Sequence, residues 1–217
     1  MFTGIIESLG HLSAIGHKGG DCQLRIDAKQ LDMSDVKLGD SIAVNGVCLT
    51  VTSYTDTGFS ADVSNETLAL STLKTAVVGQ PVNLEKALQL SSRLGGHMVS
   101  GHVDGIGTVR KIQSDGRAYR IQIEAPTELV RYMPKKGSIT VDGTSLTIND
   151  IHEQFFELTI VPHTWQETLF VHYREGTHVN LEVDLVARYL EKLLGDTSSS
   201  EPKSKITSHF LADNGFY

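Results

Sequence analysis

The chain has 217 residues, enough for one large domain or two small ones, and its 40% hydrophobic and 21% charged residues match an ordinary globular protein with material for a packed core. Its formal net charge of -7, with no block of like charges, argues against nucleic acid, which calls for a basic patch. No apolar run approaches the roughly 18 residues that span a bilayer, and MFTGIIESLG lacks the basic start and long apolar centre of a secretory signal, so the expected location is the cytoplasm, with Cys22 and Cys48 as free thiols.

In chain order, SIAVNGVCLTVTSY (41–54) reads as two strand runs around Asn45-Gly46, a tight-turn signal. GFSADVS (58–64) alternates apolar and polar with period two, as a half-buried strand does. EKALQLSSRL (85–94), stopped by Gly95-Gly96, reads as a short helix. YRIQIEA (119–125) is again strand-like, and TELVRYM after Pro126 is a second helical patch. SITVDGTSLTI (138–148) predicts another hairpin, around Asp142-Gly143, and FFELTIVP (155–162) another alternating strand. DLVARYLEKLLG predicts an amphipathic helix over about 184–194, with Asp184 placed to cap it and Val186, Leu190, Leu193 and Leu194 on one face. A helix after the last strand has little core left to cover in its own subunit, so self-association is expected. The polar DTSSSEPKSK opens a tail, 196–217, with the composition of a disordered segment.

The chain is written twice. SIAVNGVCLT (41–50) returns as SITVDGTSLT (138–147), and VNLE at 82–85 returns at 179–182. Gly4 and Gly10 of TGIIESLG match Gly101 and Gly107 of SGHVDGIG, and Thr67 of DVSNETL pairs with Thr164 of IVPHTWQ, a segment that reads as one residue out of register. The period of 97 residues is too long for a solenoid and predicts a duplicated domain, 1–97 and 98–195. Short strands every 8–12 residues, separated by turn residues, predict an all-β-dominated chain of two small barrels, not a βαβ sheet.

Candidate chemistry concentrates at the joint and at the repeated phrase. His97 and His102 lie five apart, on opposite faces of a strand or about 140° apart on a helix, and no cysteine or carboxylate cluster joins them, so no metal is predicted. The glycines around them let backbone approach a ligand, with His102 as a hydrogen-bonding or acid/base group where the first copy has Ile5. Cys48 and Ser145 hold one repeat position; Cys48 reads first as a buried small hydrophobe and Ser145 as a turn or strand hydroxyl, with a pocket group as the second reading of each. Lys136 reads as a turn lysine, Asp184 as a cap, and Thr50 and Thr147 as strand residues.

MFTGIIE, NGVCLTV, GGHMVSGHVDG, VDGTSLTI and VNLEVD, in this order, resemble the riboflavin synthase family of the α-type, from residue 1 to about 195. The resemblance implies two tandem six-stranded Greek-key barrels with short helices, and a C-terminal helix holding a homotrimer with its active site between subunits. It implies the dismutation of two molecules of 6,7-dimethyl-8-ribityllumazine into riboflavin and 5-amino-6-ribitylaminouracil by four-carbon transfer, with no metal or redox cofactor, and it names lumazine synthase as a further candidate partner. Carried over by position, the first pocket would use Gly4, Ile5 and Ile6, then Cys48, Leu49 and Thr50, then Asp62, Val63, Ser64, Asn65, Glu66 and Thr67. The second would use Gly101, His102 and Val103, then Ser145, Leu146 and Thr147, then Ile160, Val161, Pro162, His163, Thr164 and Trp165. Trp165 stands where an aliphatic residue is expected, to stack on a ring or fill the rim. Lys136 would reach a ligand held by a partner subunit. Cys48, His102, Ser145, Lys136 and Asp184 are the implied catalytic set. Lumazine proteins, which share the fold but bind one chromophore without catalysis, are the alternative; retention of pocket motifs in both copies favours the enzyme.

Overall fold

Asn45 and Gly46 turn the chain with φ of 48° and 77°, and Asp142 and Gly143 with 44° and 79°. Two successive left-handed residues make the hairpin turn whose twist matches its flanking strands. The computed structural model describes residues 1–18, 21–197, 212, 214 and 215. It divides into two compact units, Met1–Leu185 and Val186–Tyr217.

Around the first turn, β1 (Ser8–Lys18), β2 (Asp21–Asp27), β3 (Ser41–Val44), β4 (Val47–Thr55), β5 (Gly58–Val63) and β6 (Pro81–Lys86) close a barrel in the order β1-β2-β5-β4-β3-β6. Between β5 and β6 lie α1 (Asn65–Leu70) and a 3-10 turn, Thr72–Thr75. The second copy repeats every one of these elements 97 residues later: β7 (Gly105–Asp115), β8 (Ala118–Glu124), β9 (Ser138–Val141), β10 (Thr144–Thr147), β11 (Asp150–His152), β12 (Phe155–Ile160), α3 (Pro162–Glu167), the 3-10 turn Leu169–His172 and β13 (His178–Val183). The short helix α2 (Thr127–Val130) follows β8. The register is continuous, so the one-residue offset expected at 160–166 is absent; Thr67 and Thr164 sit at the third position of α1 and α3.

The second copy departs from a six-stranded barrel. The counterpart of β4 is split into β10 and β11 at Ile148-Asn149, giving a curled seven-stranded half-barrel of order β10-β9-β13-β7-β8-β12-β11. The break falls beside the position where β4 itself is bulged, between Val51 and Ser53. Each copy fills its interior with its own apolar cluster, led by Leu12, Leu24, Ile42 and Leu84 in the first and by Ile121, Ile123, Phe156 and Leu181 in the second. The helix expected at 85–94 does not form. Glu85 and Lys86 belong to β6, with Lys86 opposite Ile42, and the chain beyond is irregular. Leu88, Leu90 and Leu94 are exposed, so their helical spacing has no surface to bury against. In the second unit, α4 (Leu185–Thr197) forms as expected and exposes Val186, Tyr189, Leu190, Leu193 and Leu194. The disorder expected over 196–217 falls almost wholly outside the described residues.

The asparagines of the VNLE phrases clasp the copies. Asn83 Nδ2 donates to the Asp142 carbonyl (2.9 Å) and its Oδ1 accepts from Leu169 N (2.9 Å); Asn180 Nδ2 donates to the Asn45 carbonyl (2.8 Å) and its Oδ1 accepts from Thr72 N (2.8 Å). The pseudo-symmetry breaks at Asp142, which stands where the first copy has Asn45. Its Oδ1 accepts from Asn180 N at 2.7 Å and its Oδ2 from the Tyr173 hydroxyl. Burial pushes its pKa from 3.8 to about 7 and that of Tyr173 well above its ordinary value. The folded protein therefore holds a proton that the unfolded chain releases between these values. The resulting stabilisation is complete below pH 3.8 and is lost as pH rises to about 7. Asp142→Asn, which restores the first copy's chemistry, is expected to remove this slope: urea midpoints match wild type at pH 4 and exceed it at pH 8.

Candidate active site

Each pocket opens where two strands stop pairing. β4 bonds to β3 through Cys48, Leu49 and Thr50, but its ladder with β5 begins only at Val51. In the second copy β10 bonds to β9, and among the described residues it forms no ladder with β12. A cavity lies at each gap, lined by Cys48 in the first copy and by Ser145, Leu146 and Thr147 in the second.

Segments from the opposite copy close these gaps, and this changes the grouping expected from the repeat. Cys48 N donates to the carbonyl of Gly101 (2.9 Å), and Ser145 N donates to the carbonyl of Gly4 (2.7 Å). The two crossing segments also pair with each other, through the antiparallel bridge Phe2↔Val99. The first cavity, about 230 Å³, is therefore lined by Cys48, Glu66 and Thr67 together with Gly101, His102 and Val103. Val103, though part of the second copy by sequence, packs on the first core. The second cavity, about 370 Å³, is lined by Ser145, Leu146, Thr147, Ile160, Val161 and Thr164 together with Ile5 and Gly96. Equal spacing in the two copies could not reveal this exchange, because it leaves the register untouched.

The remaining expected residues fall as follows. Leu49 and Val63 point into the first core. Ile6 is half-buried and Thr50 exposed. Asp62 accepts from Gln23 Nε2 (2.9 Å), and Ser64 caps α1 by accepting from Thr67 N (3.1 Å), with Asn65 the first helical residue. Pro162 opens α3, where its missing N–H costs nothing, and His163 follows it on the same helix. Trp165 stacks on Tyr119 with ring centroids 3.7 Å apart, so it braces α3 against the barrel wall instead of lining the cavity. Lys136 is exposed at a turn with φ 69° and lines neither cavity.

His97, which the repeat does not mark as a pocket residue, belongs to the second site. His97 Nδ1 lies 2.7 Å from Ser145 Oγ, and the His97 backbone N–H donates to the Thr3 carbonyl (3.1 Å). Burial lowers the His97 pKa, and the charge of nearby Asp184 opposes that shift. A neutral imidazole beside a hydroxyl can accept and return a proton. Among the described residues the first pocket shows no such hydrogen-bonded pair; it presents the Cys48 thiol and the exposed His102. The two pockets thus share a backbone frame and differ in their side-chain chemistry.

The Lumazine binding domain family matches this chain twice, over residues 3–87 and 100–184. The chain is 48% identical to the riboflavin synthase of Photobacterium phosphoreum over 216 residues, covering 100% of this chain and 99% of that one. It is 40% identical to the riboflavin synthase of Bacillus subtilis (strain 168) over 216 residues, covering 100% of both chains. Its fold is similar to that of LumP in complex with riboflavin, with a TM-score of 0.78 and 24% identity over 84% of this chain and 99% of that one.

Proposed function

The chain belongs to the riboflavin synthase family, and from this we infer that its two pockets each take one molecule of 6,7-dimethyl-8-ribityllumazine. It is a transferase that forms riboflavin. One lumazine gives a four-carbon unit to the other, leaving 5-amino-6-ribitylaminouracil; the atoms of two substrates equal those of the two products, so no oxidant or reductant enters. The observation that carries the two-substrate reading is the pair of cavities at one repeat position, the first on Cys48 and the second on Ser145, each closed by a segment that crosses from the other copy.

The chemistry divides as the side chains do. The C7 methyl of a lumazine is acidic because its anion delocalises into the ring. Loss of that proton makes a carbon nucleophile; addition of water or a hydroxyl at C7 makes the other molecule the electrophile. Ser145 with His97 in one pocket, and Cys48 and His102 singly in the other, would move these protons, with Asp184 steadying His97. Threonines and acidic residues, among them Thr67 and Glu66, suit the ribityl hydroxyls. The apolar face of α4 supports a homotrimer in which Lys136 reaches a ligand held by a neighbour. No helix among the described residues is long and apolar enough to cross a membrane, and a cytoplasmic location, with lumazine synthase as a possible docking partner, completes the reading.

Incubation of the purified protein with 6,7-dimethyl-8-ribityllumazine is expected to release riboflavin; bound chromophore without turnover would instead make it an antenna-type binding protein. Light scattering on a sizing column is expected to give three times the chain mass. Holding two substrates in reacting geometry is worth about 7–11 kcal/mol, so Cys48→Ala and His102→Ala are expected to slow steady-state turnover, by up to about 10²–10⁴-fold, without abolishing it. Wild-type turnover in either variant removes that residue from the proton-moving set.

A further inference from the structure

The repeated VNLE phrase holds two residues that neither the clasp nor the pockets use. Val82 and Leu84, like Val179 and Leu181, point into the barrel cores, and the asparagines form the clasp. That leaves Glu85 and Glu182, each only 4% exposed, without a cation in hydrogen-bonding contact among the described residues. An ionisable side chain is costly to bury unless its oxygens are fully engaged. Glu85 Oε1 accepts from Thr3 N (2.6 Å) and Thr3 Oγ1 (2.7 Å), and its Oε2 accepts from Gly4 N (3.0 Å). Glu182 repeats the pattern: Oε1 accepts from Ser100 N (2.7 Å) and Ser100 Oγ (2.6 Å), and Oε2 accepts from Gly101 N (3.0 Å).

The glycines these carboxylates hold are the ones that reach across. Glu182, on β13 of the second copy, grips the N–H of Gly101, whose carbonyl takes Cys48 N of the first. Glu85, on β6 of the first copy, grips the N–H of Gly4, whose carbonyl takes Ser145 N of the second. We propose that Glu85 and Glu182 are crossed positioning residues for the two-substrate reaction: Glu182 sets the pocket of the first barrel and Glu85 that of the second. The proposal rests on the reading that both pockets take a lumazine, but the crossing itself is testable without substrate.

The test is alkylation of Cys48 by iodoacetamide in the full chain, read by peptide mass spectrometry, alongside turnover of 6,7-dimethyl-8-ribityllumazine. Cys22, 3% exposed, reports global unfolding in the same spectra. In a glutamine, one carboxylate oxygen becomes an NH₂ that confronts a backbone donor. Glu182→Gln is expected to change the Cys48 alkylation rate about tenfold with Cys22 still protected. Glu85→Gln is expected to leave Cys48 alkylation at the wild-type rate. Both are expected to lower turnover about 10- to 100-fold, each having lost hydrogen bonds to a charged acceptor. If a glutamine variant fails to fold, Ser100→Ala and Thr3→Val each remove one donor and are expected to show the same crossed pattern at smaller amplitude. Equal changes at Cys48 in both variants, no change in either, or the reverse assignment would overturn the proposal. A chain that turned over no lumazine would leave the alkylation result intact and would count against the proposed function instead.

Discussion

Gly101→Ala is expected to lower turnover by at least about 10²-fold while both barrels remain folded. Gly101 has φ 81°, and a methyl group there would lie 2.6 Å from Cys48 Cβ, 2.8 Å from Phe2 Cε2 and 3.1 Å from Cys48 N. Phe2 is fully buried and cannot swing away. The connector must therefore back off, and the Gly101–Cys48 hydrogen bond lengthens or breaks. His102 and Val103 follow it out of the first pocket. A displacement of about 1 Å at a site that depends on orientation costs on the order of 10²-fold. Gly116→Ala is the control: its φ of 63° imposes the same kind of backbone strain, but nothing lies within 4 Å of the added methyl. Steady-state kinetics should separate the two variants, with Gly116→Ala keeping wild-type turnover. Equal activity in Gly101→Ala and wild type would mean that the crossing segment does not position the first pocket.

Gly143→Ala is expected to destabilise the folded chain by about 3 kcal/mol. The two hairpin turns meet tip to tip: a methyl group on Gly143 would lie 2.8 Å from Gly46 N, and one on Gly46 would lie 2.7 Å from Gly143 N. Neither turn can retreat, because the asparagine clasp holds the carbonyls of Asn45 and Asp142 on either side. A left-handed non-glycine residue costs about 1–2 kcal/mol, and a wedge in close-packed structure costs about 1–3 kcal/mol more. At about 2–4 °C per kcal/mol for a chain of this size, a loss of about 3 kcal/mol lowers Tm by about 6–12 °C. Calorimetry should also show the single transition broadening or dividing as the barrels lose their joint. Gly79→Ala, with φ 89° and nothing within 4 Å, isolates the backbone cost and is expected to lie well above Gly143→Ala in Tm.

Period-two alternation located β5, β8 and β12, and the Asn45-Gly46 and Asp142-Gly143 turns located both hairpins, because strand burial and left-handed turn geometry are local properties that residue type reports directly. Helical spacing misled at 85–94, since Leu88, Leu90 and Leu94 meet no apolar surface. The split of β10 from β11 leaves no sequence signal comparable to the turns; Ile148-Asn149 is unremarkable as a dipeptide, and the break shows only in the folded sheet. Trp165 was legible as an anomaly but not as a partner of Tyr119, which lies 46 residues away on β8.

By itself the sequence determined the duplication, its 97-residue period, the small-barrel class of fold and the positions at which the two halves differ, Cys48 against Ser145 and Ile5 against His102. These follow from residue types and spacing, which repeat whether or not the chain is folded. Only the tertiary structure decided which segment closes which pocket, that His97 meets Ser145, and that Glu85 and Glu182 hold the crossing strands. The physical reason is symmetry. A segment that folds back on its own copy and one that crosses to the other have the same residues at the same spacing. Only the long-range hydrogen bonds of Gly4 to Ser145 and of Gly101 to Cys48 distinguish the two arrangements.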